Sequence, residues 1–285
     1  MISYFQAIIL GLLQGVTELF PISSLGHSVI LPRLLGWNIH QNDKFFLTFL
    51  VATHFATALV LLGFFWRDWK RILSGLGRSL RDREIGQDDS DAKLGWLLVV
   101  GTIPAGILGL ALENKLRHIF ASPLSASIFL MCNGLLLLGA ELLRRRAPQP
   151  EHGDPDDRIA RRVSWRDSFF VGAAQALALI PGFSRSGATM AGGLVVGLSN
   201  EDAARFAFLL ATPIIGAAAV LKLPELIGSE GNGVRGQALV GAIFAALSAY
   251  LAVRFLMRYF ETNRLWPFAV YCLVAGAAST IYFLS

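Results

Sequence analysis

The sequence predicts an all-α polytopic membrane protein, in which six transmembrane helices and two re-entrant helical hairpins form an inverted-topology repeat. Three observations carry that prediction. The chain has 285 residues, 54% of them hydrophobic and only 16% charged, whereas a soluble domain of this length carries about a quarter charged residues. Six apolar segments are each long enough to cross a bilayer. Two further apolar regions are interrupted by polar runs around a proline, "QGVTELFPISSLGH" at 14–27 and "PGFSRSG" at 181–187.

Taken in order, the first element is the broken region 5–36. Its arms on either side of Pro21 are about 13–16 residues, or roughly 20–24 Å as helix, which is short for a span. A hairpin that enters and leaves on one side fits better, because irregular backbone at membrane depth needs protein or a wet cavity around it. The first 20 residues lack a basic n-region and a small-residue cleavage site, so they do not read as a cleavable signal peptide. Spans follow at about 45–66, 93–112 and 122–143, each reaching roughly 30 Å. The charged, proline-containing stretch 144–166 reads as a linker, and 67–93, mixed in sign, as a solvated loop. The second broken region is 168–198, followed by spans at about 203–221, 237–258 and 265–284.

Hairpin, three spans, hairpin, three spans is an order in which the second half is inverted relative to the first. The chain is therefore one integral membrane domain, 1–285, with pseudo-repeats 1–143 and 167–285 around the linker 144–166. The repeat is faintly visible where "GLLQGVTELFPISS" at 11–24 is set beside "GAAQALALIPGFSRS" at 172–186. In this arrangement 18 of the 25 Lys and Arg residues fall on one side, in 67–93, 144–166, 199–205 and 254–264. The positive-inside rule makes that side cytoplasmic and the termini periplasmic or extracellular. The net charge of +5 is thereby explained by loop charge, and nucleic acid is excluded as a partner. Cys132 and Cys272 lie in apolar segments and read as small buried hydrophobes, with neither a disulfide framework nor metal-ligand spacing.

Ionisable groups inside the membrane are costly and mark function. The clear cases are Glu18, His27, His54 and Arg185; Glu113 and Glu141 lie near segment ends, within reach of water. Gln14 and Glu18 share one helix face that ends at Pro21. The carboxylate can act as a base, hold a cation or pair with an arginine. Ser23 or Ser24 would cap the second arm, and His27 would lie above Ser24 as its base or orienting partner. In "PGFSRSGAT", Gly182 permits a tight turn, Ser184 and Ser186 offer hydroxyls, and Arg185 offers a fork that matches phosphate. A helix starting there aims free N–H groups at the same place. The site favours an anionic, oxygen-rich substrate.

These motifs resemble a known family. "QGVTE" followed by "PISSLGH" is similar to the [Glu/Gln]-x-x-x-Glu and Pro-x-Ser-Ser-x-Gly-His pattern of the bacterial undecaprenyl-diphosphatases, also called bacitracin-resistance proteins. "PGFSRSGAT" is similar to their Pro-Gly-x-Ser-Arg-Ser-x-x-Thr motif, and "RFAFLLATPIIGAA" at 205–218 to a further segment. The resemblance implies hydrolysis of undecaprenyl diphosphate to the monophosphate and inorganic phosphate, recycling the lipid carrier for peptidoglycan, in the bacterial inner membrane. It implies a divalent cation, Mg2+ or Ca2+, and a site opening to the periplasmic face. Glu18 matches the acidic metal or catalytic position, Ser24 and His27 the nucleophile and its partner in either order, and Arg185 the diphosphate-binding arginine. Ser23, Ser184, Ser186 and Thr189 would line the site. Gln14, where many members carry Glu, weakens a two-carboxylate metal site. His54 is read either as a site residue or as a packed histidine.

A lipid-phosphate transporter or flippase is the competing reading, since inverted repeats with broken helices suit transport. It would need Arg185 and the helix ends but no serine nucleophile. The other class of membrane lipid phosphatase needs a Lys-x6-Arg-Pro stretch ahead of its His-x3-Asp, and the chain has no Arg-Pro pair at all. Membrane lipids surround the protein, and homo-oligomer formation is left open.

Overall fold

The computed structural model describes residues 2–39, 44–120, 122–144, 153–228 and 233–285, with side chains at 44–45, 113–120 and 223–227 left aside. The side chains of Lys44, Glu113, Lys115 and Arg117, and linker residues 145–152, lie outside what it describes. Among the described residues the protein is all helical. In chain order the helices are α1 Tyr4–Leu19, α2 Ser24–Leu34, α3 Lys44–Phe64, α4 Trp66–Asp82, α5 Ser90–Phe120, α6 Pro123–Arg144, α7 Pro155–Arg162, α8 Trp165–Ala174, α9 Arg185–Val195, α10 Asn200–Ile227, α11 Arg235–Phe260 and α12 Trp266–Leu284. A 3₁₀ turn, Gln175–Leu179, extends α8.

Six of these are long and apolar enough to cross a membrane: Phe46–Phe64, Ser90–Leu112, Pro123–Arg144, Asn200–Lys222, Arg235–Phe260 and Trp266–Leu284. They coincide with the six expected spans, and the protein is a multi-pass membrane protein. The two broken regions are broken where expected. The first is α1, of 16 residues, and α2, of 11, separated by Phe20–Ser23. The second is α8 with its 3₁₀ extension and then α9, of 11 residues, separated by 180–184.

Helix pairs are drawn together at small residues, as expected where lipid offers no hydrophobic drive for association. α1 runs along α11, and a Cβ on Gly11 would collide with the Gly241 carbonyl oxygen. α8 runs along α5, where a Cβ on Gly172 would collide with the Gly101 carbonyl. α6 pairs with α12, and α3 packs between α10 and α11. The largest buried cluster joins Leu19 and Ile22 of the first break to Met190 and Leu194 of α9 and to Phe206–Leu210 of α10. The breaks are thus held in the middle of the packed core.

Two stretches read as loop or linker are more ordered than expected. Within 67–93 the chain forms α4, which buries Trp69, Ile72, Gly75 and Ser79. Their three- and four-residue spacing puts them on one face, hidden in the sequence by the charges between them. Within 144–166, α7 docks through ion pairs. Asp156, 1% exposed, meets Arg205 Nε at 2.7 Å and Arg71 Nη2 at 2.5 Å. Arg158 meets Asp202 at 2.7 Å and Glu201 at 3.0 Å. Glu141, read as lying near water, is buried instead and accepts from the Leu265 N–H at 3.1 Å, at the start of α12.

Candidate active site

The two breaks become helix N-termini because of their serines. Ser23 caps α2, its Oγ accepting from the Gly26 N–H at 3.1 Å. Ser184 caps α9 in the same way, accepting from the Gly187 N–H at 3.1 Å. Each cap satisfies a donor that water would otherwise have to reach. Ser23 takes φ 70° and Gly182 φ 110°. Glycine is at ease in that region, whereas the non-glycine Ser23 is strained. His27 supports it from one turn on, Nδ1 lying 2.7 Å from the Ser23 carbonyl oxygen.

The two tips touch. A Cβ on Gly26 would lie 3.0 Å from Gly182 Cα. A chain of donors crosses between them. The Gly187 N–H donates to Ser184 Oγ, Ser184 Oγ lies 3.0 Å from Ser186 Oγ, and Ser186 Oγ donates to the Phe20 carbonyl at 3.2 Å. Asn133, wholly buried in α6, holds both tips with one amide. Its Nδ2 donates to the Pro21 carbonyl at 2.9 Å and its Oδ1 accepts from the Ser184 N–H at 3.0 Å.

Where the tips meet, Glu18 collects four polar partners. Its Oε1 accepts from Arg185 Nη2 at 2.5 Å. Its Oε2 accepts from Ser24 Oγ at 2.5 Å and from Gln14 Nε2 at 2.9 Å. His54 Nε2, from α3, lies 3.3 Å from the same oxygen. His54 Nδ1 lies 2.7 Å from the Leu50 carbonyl and must donate to it, so Nε2 also needs a proton to meet a carboxylate favourably. An isolated buried carboxylate would be costly, and these donors offset that cost. The side chain of Glu18 is 5% exposed, against 14% for Arg185 and 28% for His54, so the cluster opens on the Arg185–His54 side.

The expected site residues thus separate into three sets. Gln14, Glu18, Ser24 and Arg185 converge, and His54 joins them. Ser23, Ser184 and Ser186 spend their hydroxyls within and between the tips, and Thr189 donates to the Arg185 carbonyl at 2.8 Å. His27 does not lie over Ser24. Its Nε2 faces the Tyr271 hydroxyl of α12 at 2.8 Å, and the rings stack at 5.7 Å. Ser24, the first residue of α2, gives its hydroxyl to Glu18 of α1, while both ring nitrogens of His27 are taken by the Ser23 carbonyl and the Tyr271 hydroxyl. Sequence reasoning missed Asn133 and Tyr271. The one available signal for Asn133 was an amide inside an otherwise apolar span.

Among the described residues no group of three or more His, Cys, Asp or Glu side chains is arranged to hold a metal ion. Among the described residues the buried amide oxygens of Gln14, Gln175 and Asn200 have no hydrogen-bond partner, and of these Gln14 Oε1 lies beside the cluster. It sits on the amide whose nitrogen already donates to Glu18.

Comparison with known proteins agrees with the motifs. A family model described as "Bacitracin resistance protein BacA" matches residues 7–278. A protein of Mycolicibacterium paratuberculosis named "Undecaprenyl-diphosphatase" is 51% identical over 300 residues, covering 99% of this chain and 97% of that protein. One of Frankia alni, "Undecaprenyl-diphosphatase 2", is 44% identical over 339 residues, covering 99% and 98%. One of Acidiphilium cryptum, "Undecaprenyl-diphosphatase", is 46% identical over 281 residues, covering 96% of each. With a match of this extent at both polar breaks and through the spans between them, the chain belongs to the BacA bacitracin-resistance family.

Proposed function

We propose that this protein is an undecaprenyl-diphosphatase that releases inorganic phosphate from the lipid diphosphate and returns the monophosphate carrier to peptidoglycan synthesis. The observation that carries the reading is the Ser24 hydroxyl held 2.5 Å from the Glu18 carboxylate, with Arg185 on the other carboxylate oxygen. Ser24 Oγ attacks the terminal phosphorus as Glu18 takes its proton, and the bond to the bridging oxygen breaks. The lipid monophosphate leaves, taking up that proton from Glu18 and restoring the carboxylate. Water, deprotonated by Glu18, then attacks the phosphoserine, and the Ser24 oxygen leaves and regains that second proton from Glu18. The products are one monophosphate and one inorganic phosphate. Arg185 has five N–H donors, two of them used by Glu18 and the Ala211 carbonyl. The others, with the N-termini of α2 and α9, meet the charge on the transferring phosphoryl oxygens.

Ser24 is favoured over His27 as nucleophile because both ring nitrogens of His27 are engaged, by Ser23 and Tyr271. His27 acts as a positioning residue for the Ser23 turn. The orphaned Gln14 Oε1 beside the Glu18 carboxylate fits a hard cation that prefers oxygen. Mg2+ or Ca2+ would be held by Gln14, Glu18 and the substrate's own oxygens, and would supply charge neutralisation on the diphosphate. A flippase would need Arg185 but no hydroxyl aimed at a carboxylate.

The topology that suits this chemistry is a pair of re-entrant hairpins in an inverted repeat of 1–143 and 167–285. Support comes from the reciprocal glycine packing, α1 on α11 and α8 on α5, with α3 facing α10 and α6 facing α12. The protein would sit in the bacterial plasma membrane, where the carrier lipid is used, and the positive-inside rule orients it with periplasmic termini and cytoplasmic basic loops. The test is phosphate release from undecaprenyl diphosphate by the purified protein, with and without chelator. Ser24→Ala should abolish release and lose the acid-quenched phosphoserine. Near-normal turnover in that variant overturns the serine assignment, and no release by the parent protein overturns the activity.

A further inference from the structure

Helix α4 has a second face that the fold leaves uncovered. Its inner face is fixed on α5. A Cβ on Gly75 would lie 2.5 Å from the Ala92 nitrogen, and Trp96 Nε1 donates to Ser79 Oγ at 2.9 Å. The helix is therefore docked firmly, and what it shows outward is set by the fold. Outward it shows Trp66, Leu73 and Leu80, which are 49%, 58% and 63% exposed. They are seven residues apart, so they form one line along the helix, with Gly77 between. At about 100° per residue, Lys70, Arg81, Arg67, Arg78 and Arg71 follow in that order round one side of the line, with no acidic residue among them. Asp68 and Asp82 fall beyond that arc.

The partners of these basic groups are graded. Arg71, farthest from the apolar line, is bound to Asp154 and Asp156 at 2.8 and 2.5 Å, and Arg78 to Asp89 at 2.9 Å. Arg81 pairs only with its neighbour Asp82, and both are open to solvent. Lys70 lies over the Trp66 ring at 5.3 Å, and neither it nor Arg67 has a carboxylate partner among the described residues. Of the three cations nearest the apolar line, Lys70 and Arg67 have no carboxylate partner among the described residues, and Arg81 has only a solvent-exposed one. Trp66 also follows directly on the span Phe46–Phe64, so the apolar line continues the lipid-facing surface. An apolar stripe holding Trp and Leu beside a basic arc is the pattern of a helix lying in the membrane interface.

We propose that α4 is an interfacial helix, which rests Trp66, Leu73 and Leu80 among the acyl chains and binds anionic phospholipid headgroups through Arg67, Lys70 and Arg81. The site would take phosphatidylglycerol-like lipids, independently of the substrate bound at Glu18 and Arg185. The test uses the full-length protein in nanodiscs of phosphatidylcholine alone or mixed with phosphatidylglycerol, with Cys132→Ser and Cys272→Ser as background. A nitroxide at Leu73→Cys should be relaxed by dissolved oxygen and shielded from an aqueous nickel reagent, while one at Ser74→Cys should show the reverse. Spin-labelled phosphatidylglycerol should associate in preference to phosphatidylcholine, and Arg67→Gln with Lys70→Gln should lower that preference by roughly fivefold per charge. A Leu73 label open to nickel in both compositions overturns the membrane contact. Shielding from both reagents means that protein covers the face, as a second copy or another partner, and also overturns the proposal. A lipid preference unchanged in the double variant overturns the headgroup assignment.

Discussion

Glu18 satisfies four donors with one carboxylate, and each donor does separate work. Arg185 offers a planar fork suited to phosphate. Arg185→Lys keeps the charge but loses the fork, so phosphate release should fall by roughly 10²–10³-fold with the fold intact by circular dichroism. His54 adds a hydrogen bond to a charged group, worth about 1.5–3 kcal/mol. His54→Leu should therefore slow turnover by at least tenfold, and His54→Gln, which keeps an N–H, should recover much of it in the same assay. Asn133 touches none of the reacting groups, yet its amide fixes both tips. Asn133→Leu should lower kcat much more than it changes KM. Asn133→Asp keeps the acceptor for the Ser184 N–H and should restore part of kcat. The charged residues of the site were legible because charge inside an apolar run is conspicuous. Asn133 was not, because its partners are 112 and 51 residues away in sequence.

At the scale of elements, the site depends on two helices that start inside the core. A serine cap made the first start readable, and it is Ser23; at the second, Ser184 was read only as a hydroxyl and proves to be the cap of α9. The spacing rule that paired His27 with Ser24 failed because tertiary partners compete for both side chains: Glu18 takes the Ser24 hydroxyl and Tyr271 faces the His27 ring nitrogen. Close packing then sets where the short arms stand. Gly182 has φ 110° and its Cβ position lies against the Ala126 carbonyl and 2.8 Å from the Leu130 nitrogen. Gly182→Ala is both strained and overpacked, and should lower stability by about 1–3 kcal/mol, read as a lower melting temperature in detergent. α4 was read as solvated chain because its charges mask a helical spacing of apolar residues.

For the whole molecule, the ion pairs around α7 tie the two halves where the linker passes. Asp156 joins α7 to Arg71 of α4 and Arg205 of α10. Outside the spans, burial would raise the Asp154 carboxyl, but the hydrogen bonds from Arg71 and the Asp156 N–H, with the charges of Arg71 and Arg205, together hold it below the usual carboxylate range. A depressed carboxyl stabilises the fold above its unfolded pKa and loses that contribution as pH falls through the folded value. The α4–α7 clasp should therefore weaken only in acid, below the model-peptide value of about 3.9. Removing the buried partner is a sharper test. Asp156→Ala leaves Arg71 and Arg205 with Asp68 as their shared anion, at 3.2 and 2.8 Å, and removes the more buried of the two carboxylates, so it should cost about 1–3 kcal/mol in thermal unfolding.

The sequence by itself determined the membrane-spanning segments, the two breaks, the serine cap at the first of them and the anionic character of the substrate. Each of these follows from local composition: length of apolar run, a proline in it, a hydroxyl before a helix, a charge where charge is costly. Only the tertiary structure decided which groups face one another. It turned Ser24 to Glu18, sent His27 to Tyr271, brought His54 in from α3 and set Asn133 between the tips. Those pairings depend on glycine contacts between helices far apart in the chain, and no periodicity within a single segment contains them.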